Sequence, residues 1–186
     1  MVATARRLII VMGVSGCGKS TIAGALSEVL GGLFLEGDDF HPDENIAKMR
    51  AGTPLNDQDR IRWMDAILDA IAAAKSRDVI LACSALTPYV QERLRDAAVD
   101  TYHWAHLDIT QATASDRMHA RAHFMPPELL ASQFSALQLP DDAMRFDASL
   151  PVDELVAQIS QSLNGYPPPT NCTTSSRSPS CSMVRP

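Results

Sequence analysis

The stretch Gly13-Val14-Ser15-Gly16-Cys17-Gly18-Lys19-Ser20 constrains this chain more than any other part of it, because it satisfies the pattern G-x-x-x-x-G-K-[ST]. Its glycines let the backbone turn tightly enough for successive N–H groups to face one anion, and the positive end of a following helix adds to that field. Such a loop works only between a strand and a helix, and the sequence supplies both. Leu8 to Met12 is an apolar run rich in β-branched residues, as expected of a central strand covered on both faces. Ser20 to Leu30 repeats apolar residues at Ile22, Ala25, Leu26 and Val29, a helical spacing that Gly31-Gly32 stops. Gly13 through Thr21 is therefore expected to cradle the phosphates of a nucleotide, with Lys19 on the β and γ groups and the Ser20 hydroxyl on Mg²⁺. Cys17 sits inside the loop, where a helix N-terminus and Lys19 would lower the pKa of an accessible thiol; the plainer reading is a small side chain filling the loop.

The remainder of the chain alternates strands and helices. Strands are expected at Leu33 to Leu35, Val79 to Cys83, Tyr102 to Ile109 and Arg145 to Ala148. Helices are expected at Asn45 to Arg50, Asp57 to Lys75, Pro88 to Ala97, Gln111 to Ala120, Pro126 to Leu137 and Pro151 to Leu163. This order predicts a three-layer α/β fold of the P-loop NTPase type, with a parallel sheet of about five strands and helices on both faces. At 186 residues the chain is sized for one core. We take residues 1–165 as the domain and Tyr166 to Pro186, rich in Pro, Ser and Thr, as a disordered tail that buries too little apolar area to offset ordering it.

A net charge of −6 argues against nucleic acid or an anionic membrane as partner, so an anionic substrate must be held by a few local cations. Arg6 and Arg7 precede an apolar run that is too short to span a bilayer and ends in the phosphate loop, so neither a membrane span nor a secretion signal is expected. Cys17, Cys83, Cys172 and Cys181 form no C-x-x-C pair, which fits a reducing compartment without a structural metal.

A phosphate loop alone permits motors, GTPases, ATPases and kinases, and the acceptor side narrows the choice. The second strand runs into Glu36-Gly37-Asp38-Asp39-Phe40-His41, which sets carboxylates and an imidazole at the C-terminal edge of the sheet, where ligands bind in such folds. A carboxylate there can take a proton from an attacking hydroxyl. There is no guanine-specifying N-K-x-D and no Walker B acid, since the third strand ends in Cys83-Ser84-Ala85-Leu86. Ser20, waters and Asp38 are left to complete a Mg²⁺ shell.

At these residues the chain resembles the gluconokinase family, relatives of shikimate kinase and, more distantly, of nucleoside monophosphate kinases. The resemblance covers nearly all of residues 7–163. It rests on G-V-S-G-C-G-K-S at 13–20, G-D-D-F-H-P at 37–42, N-I-A-K-M-R-A-G-T-P-L-N-D-Q-D-R-I-R-W from Asn45 to Trp63, C-S-A-L at 83–86 and H-F-M-P-P-E-L-L-A-S-Q-F from His123 to Phe134. It implies a nucleoside-monophosphate-kinase-like fold with a short lid, ATP and Mg²⁺, transfer to the terminal hydroxyl of gluconate, a cytoplasmic location and a homodimer. It further implies that Asp38 is the acceptor-binding carboxylate and that Arg60 is the arginine near the substrate carboxylate, with His41, Lys48 and His123 as further substrate contacts. Arg117 and Arg121 match the R-x-x-x-R of the lid, the first against adenine and the second on the transferring phosphoryl group. Two positions depart from the family pattern: Arg121-Ala122-His123-Phe124 lacks a glycine and is one residue shorter, and Thr87 follows C-S-A-L where relatives commonly carry lysine. A kinase for another small hydroxy acid or sugar, and a nucleotide-binding module without transfer, are the other readings the motifs admit.

Overall fold

In the computed structural model of the chain, residues 5–120 and 128–165 are described. The expectations placed on Arg121, His123 and the 166–186 tail lie outside them.

Strand β1 (Arg7–Met12) sits at the centre of a five-stranded parallel sheet with the order β2-β3-β1-β4-β5, completed by β2 (Leu33–Glu36), β3 (Asp78–Ala82), β4 (Thr101–Asp108) and β5 (Met144–Asp147). Leu8 through Met12 are each fully buried. Alternation along the strand divides them: Ile9 and Val11 enter one core, and Leu8, Ile10 and Met12 the other. The apolar run read from the sequence is therefore two interleaved faces.

The first core is closed by α1 (Lys19–Leu30), through Ile22, Ala23 and Leu26, with α5 (Gln111–Ala120), α6 (Glu128–Ala136) and α7 (Val152–Gly165). The second is closed by α3 (Asp57–Ala73), through Trp63, Met64, Ile67 and Ile71, and by α4 (Pro88–Arg95), through Val90 and Leu94. Helix α2 (Asp43–Arg50) contributes Met49 to the first core. The three expected layers are present. Register between β1 and β3 is pinned at its first pair, Arg7 against Asp78, by a bidentate ion pair of 2.7 and 2.8 Å on a nearly buried carboxylate.

Element ends differ from expectation by a residue or two, and one element is new. Gly37–Phe40, expected as loop, is a 3-10 turn capped by Glu36, whose carboxylate accepts from the Asp38 N–H at 3.4 Å. This turn lies flat on β3, since a Cβ on Gly37 would stand 2.5 Å from the Ala82 carbonyl. Asp38 follows directly, so that close approach sets where its carboxylate lies.

Two glycine substitutions should therefore have opposite signs. Gly37→Ala forces β2 and β3 apart and should cost about 1 to 3 kcal/mol, whereas Gly24→Ala, in α1 with open space around it, should gain about 0.5 to 1 kcal/mol. Thermal melts of the two variants check both signs.

Candidate active site

At the C-terminal edge of the sheet the phosphate loop leaves β1 and enters α1. Gly18 precedes the helix at φ 101° and Gly16 turns at φ 81°, left-handed geometry that side-chain-bearing residues rarely adopt. Gly16 is also packed against α5: a Cβ there would meet the Ala114 carbonyl at 2.6 Å. The Gly13 N–H donates to the Ser84 carbonyl, which ties the loop to the end of β3. Lys19 folds over the loop and donates from Nζ to the Val14 carbonyl at 3.1 Å. Around Ser15, Gly16, Gly18, Lys19, Ser20 and Thr21 lies a depression of about 80 Å³ that also takes in Arg117 and Asp38. Arg117 donates to the Ala148 carbonyl at 2.9 Å, which joins α5 to the segment after β5.

A second, larger cleft of about 170 Å³ opens beside it, and Ser15, Lys19 and Asp38 line both. Its polar wall includes His41, Arg60, Ser84, Thr87, Ser132 and Gln133; Met49, Leu55, Leu86 and Val90 are among its apolar residues. His41 stacks on Trp63 with centroids 4.4 Å apart and 13° between planes, and its Nε2 stands 4.0 Å from the Asp38 carboxylate. The Trp63 indole in turn donates to the Gly37 carbonyl at 2.7 Å, so α3 holds both the imidazole and the turn that bears Asp38. Burial pushes the His41 pKa below its ordinary value, Asp38 working against that shift and Arg60 with it.

Arg60 reaches the cleft while paired with Asp57 at 2.8 Å, a partner 61% exposed. Lys48 lies elsewhere: its ammonium is paired with Asp59, which closes the capping box of α3 with Asn56, and it does not line the cleft. Ala85 adopts φ 45°, the one side-chain-bearing residue with positive φ among those described, and its neighbours Ser84 and Leu86 both face the cleft. Thr87 also lines the cleft, at the N-terminus of α4, but its hydroxyl caps nothing and is buried without a partner.

Several of these residues escaped the sequence reading. Glu36 is half-buried beside Ser20, Lys19 and Asp38; burial raises its pKa, a hydrogen bond with Ser20 opposes the rise, and the Asp38 charge adds to it. Its position at the last residue of β2, one residue before the turn that bears Asp38, was a usable signal, because the C-terminal edge of the sheet is where ligands bind in such folds. Trp63 follows Arg60 by one helical turn, another usable spacing. Gln133 lies in the quoted block from His123 to Phe134, but nothing in the sequence shows that its side-chain oxygen accepts the Ser15 N–H at 2.7 Å across 118 residues.

The thiol expectation at Cys17 is corrected. Cys17 is 2% exposed and its sulfur packs beneath Gly13, and burial raises its pKa against the smaller opposing effects of Lys19 and Arg117. Desolvation outweighs the helix terminus because the side chain points into the core. Cys83 is likewise pushed up, to about 12.

The strand order and a glycine-rich loop after the central strand, with an acceptor-sized cleft sharing its lysine, define a P-loop kinase. The family model described as an AAA domain matches residues 8–140. A probable gluconokinase of Rattus norvegicus is 37% identical over 84% of this chain and 97% of its own length. The crystal structure of a gluconokinase from Sinorhizobium meliloti is 35% identical and superposes with a TM-score of 0.73 over 88% of this chain and 98% of that one. Shikimate kinase of Aquifex aeolicus, at 19% identity, shares the fold with a TM-score of 0.56 over 85% of this chain and 96% of its own. The chain belongs to the gluconokinase family.

Two measurements check the electrostatics. A thiol reagent should leave Cys17 and Cys83 unlabelled in the folded protein and reach them only at the rate of unfolding, which mass spectrometry resolves by residue. The His41 ring should titrate below 6.5 by NMR. Because the unfolded chain takes up that proton first, His41 lowers stability as pH falls from 6.5 toward its native value and has no effect well above 6.5. His103 and His106 shift the same way, so the single ring resonance is the readout and not the melt.

Proposed function

We propose that this chain transfers the γ-phosphoryl group of ATP to the terminal hydroxyl of D-gluconate, giving 6-phosphogluconate and ADP. The observation that carries this reading is that Lys19 and Asp38 border both the phosphate loop depression and the larger cleft. A γ-phosphoryl group in the one and a hydroxyl in the other would meet between a cation and a carboxylate.

In that arrangement Asp38 orients the attacking hydroxyl and takes its proton while the new O–P bond forms and the bond to the ADP oxygen breaks. Lys19 exchanges the Val14 carbonyl for phosphate oxygens. Gly13 to Thr21 present the loop amides, and Arg117 lies on the base side, with Arg121 and His123 of the lid assigned by resemblance. Arg60 is suited to the gluconate carboxylate, because its pair with an exposed Asp57 is worth at most about 1 kcal/mol and is readily given up. His41, neutral at pH 7, offers hydrogen bonds to the remaining hydroxyls. Lys48 supports the site indirectly, by fixing Asp59 at the start of the helix that carries Arg60.

Mg²⁺ fits the oxygen donors present. Ser20, Glu36 and Asp38 group two carboxylates and a hydroxyl, with the Ser20 hydroxyl already hydrogen-bonded to Glu36. When bound, the ion supplies charge that screens the β and γ phosphates. Among the described residues no three His, Cys, Asp or Glu converge on a metal, which suits an ion that keeps its waters and phosphate oxygens. No described helix is long and apolar enough to cross a membrane. The free thiols of Cys17 and Cys83 favour the cytoplasm, and the family resemblance adds a homodimer.

A coupled ADP-release assay tests the reading: gluconate should support turnover, and shikimate, glucose and water should not. Turnover on a different acceptor, or on none, overturns it. Lys19→Ala should abolish transfer without unfolding the chain. Asp38→Asn should lower kcat by at least about 100-fold with a smaller effect on gluconate KM, whereas Arg60→Ala should raise gluconate KM before it lowers kcat and leave ATP KM alone.

A further inference from the structure

Helix α6 reaches the phosphate loop through the Gln133 side chain. Gln133 accepts the Ser15 N–H at 2.7 Å, and Ser15 is itself 95% buried, with a relative exposure of 5%. Further ties on the loop include Gly13 N–H on the Ser84 carbonyl, Lys19 Nζ on the Val14 carbonyl, Gly16 against Ala114 and Met118, and Cys17 beneath Gly13. Ser15 and Gln133 both line the cleft with Lys19, Asp38 and Arg60, and Leu129, Ser132 and Ala136 of α6 form the same wall.

The chemistry of this contact is directional. A backbone N–H only donates, so the oxygen of the Gln133 carboxamide must face Ser15, and its NH₂ is the opposite, donor end. The side chain thus joins a loop amide of the phosphate cradle to the helix that walls the acceptor cleft. In phosphoryl transfer there is little covalent chemistry for a protein to do, and rate comes from holding the loop donors and the acceptor in register.

We propose that Gln133 is a positioning residue for phosphoryl transfer: its carboxamide fixes the Ser15 amide of the phosphate loop to the acceptor-facing wall of α6. The proposal rests on the kinase reading given above and gives a role to a residue that the sequence showed only as part of the block from His123 to Phe134. It acts through Ser15 and not by taking or giving the transferred proton, which belongs to Asp38.

The test uses two variants of the full chain, with kcat, KM and melting temperature measured together. Gln133→Met keeps length and apolar bulk and loses the acceptor oxygen; kcat should fall about 10- to 100-fold, with gluconate and ATP KM changed less than kcat and the melting temperature unmoved. Gln133→Glu keeps the oxygen for Ser15 but places a charge beside the phosphates. Its protonated form restores the neutral acceptor-plus-donor pattern, so its kcat relative to the wild type should rise as pH falls from 8 toward about 5.5. The ratio to wild type divides out the titration of Asp38, His41 and Glu36, which face the same site. A Met variant with kcat within about threefold of wild type, or a Glu variant whose ratio stays flat with pH, overturns the assignment. If Gln133→Met does not fold, the isosteric Glu variant decides alone. If the wild type shows no gluconate-dependent ADP release, the functional reading fails separately, and the same variants are then compared in ATP hydrolysis to water.

Discussion

Burial of β1 on both faces is the constraint on which the rest of this structure depends. Every residue from Leu8 to Met12 is fully buried, Ile9 and Val11 in one core and their neighbours in the other. A slip of one residue in register would exchange the two sets, so the strand has one position relative to β3 and β4. Its end is therefore fixed, and with it the place where Gly13 begins the phosphate loop. The Arg7–Asp78 pair secures the opposite end. Asp38, at the end of β2, and Ser84, after β3, arrive at the same edge because their strands are parallel to β1.

The site balances few charges against much burial. A chain of net charge −6 has no general field for anions, yet Lys19, Arg60 and Arg117 gather around two adjoining depressions. Each cation is parked on a partner easily left: Lys19 and Arg117 on backbone carbonyls, Arg60 on an exposed aspartate. The acids are treated differently. Glu36 is half-buried, and burial, with the Asp38 charge adding to it, shifts it toward its neutral form against a hydrogen bond from Ser20. His41 is held neutral by the same desolvation that keeps it stacked on Trp63.

Much of this was legible in the sequence, for physical reasons that differ by element. β1 and β3 are short apolar runs because both faces are covered, and α3 repeats its apolar residues at helical spacing because one face alone is buried. The phosphate loop was legible because few other sequences satisfy its backbone geometry. The link from Trp63 to the Gly37 carbonyl and that from Gln133 to Ser15 were not, since each joins residues whose separation in sequence carries no period or motif. At Cys17 the sequence showed the helix terminus and Lys19 but not the direction of the side chain, and that direction decides the sign of the pKa shift.

The two adjoining depressions divide the site into a phosphate-loop side and a cleft side built from different parts of the chain. Shikimate kinase of Aquifex aeolicus shares this fold at 19% identity; in this chain the part that phosphates demand is the end of the central strand, the glycine loop and the carboxylate at the sheet edge. The acceptor cleft is built otherwise, from α2, the segment through Pro54 and Leu55, the first turns of α3, the Ala85 turn and α6. None of these pieces is a strand of the sheet, yet Met49, Trp63, Leu86 and Leu129 within them belong to the two cores, so it is the polar side chains of the wall that can change without cost to the packing. They are nonetheless not independent of the phosphate side. Trp63 holds the turn that bears Asp38, Ser84 holds Gly13, and Gln133 holds Ser15, so a change of acceptor wall is also a change in how the loop is braced.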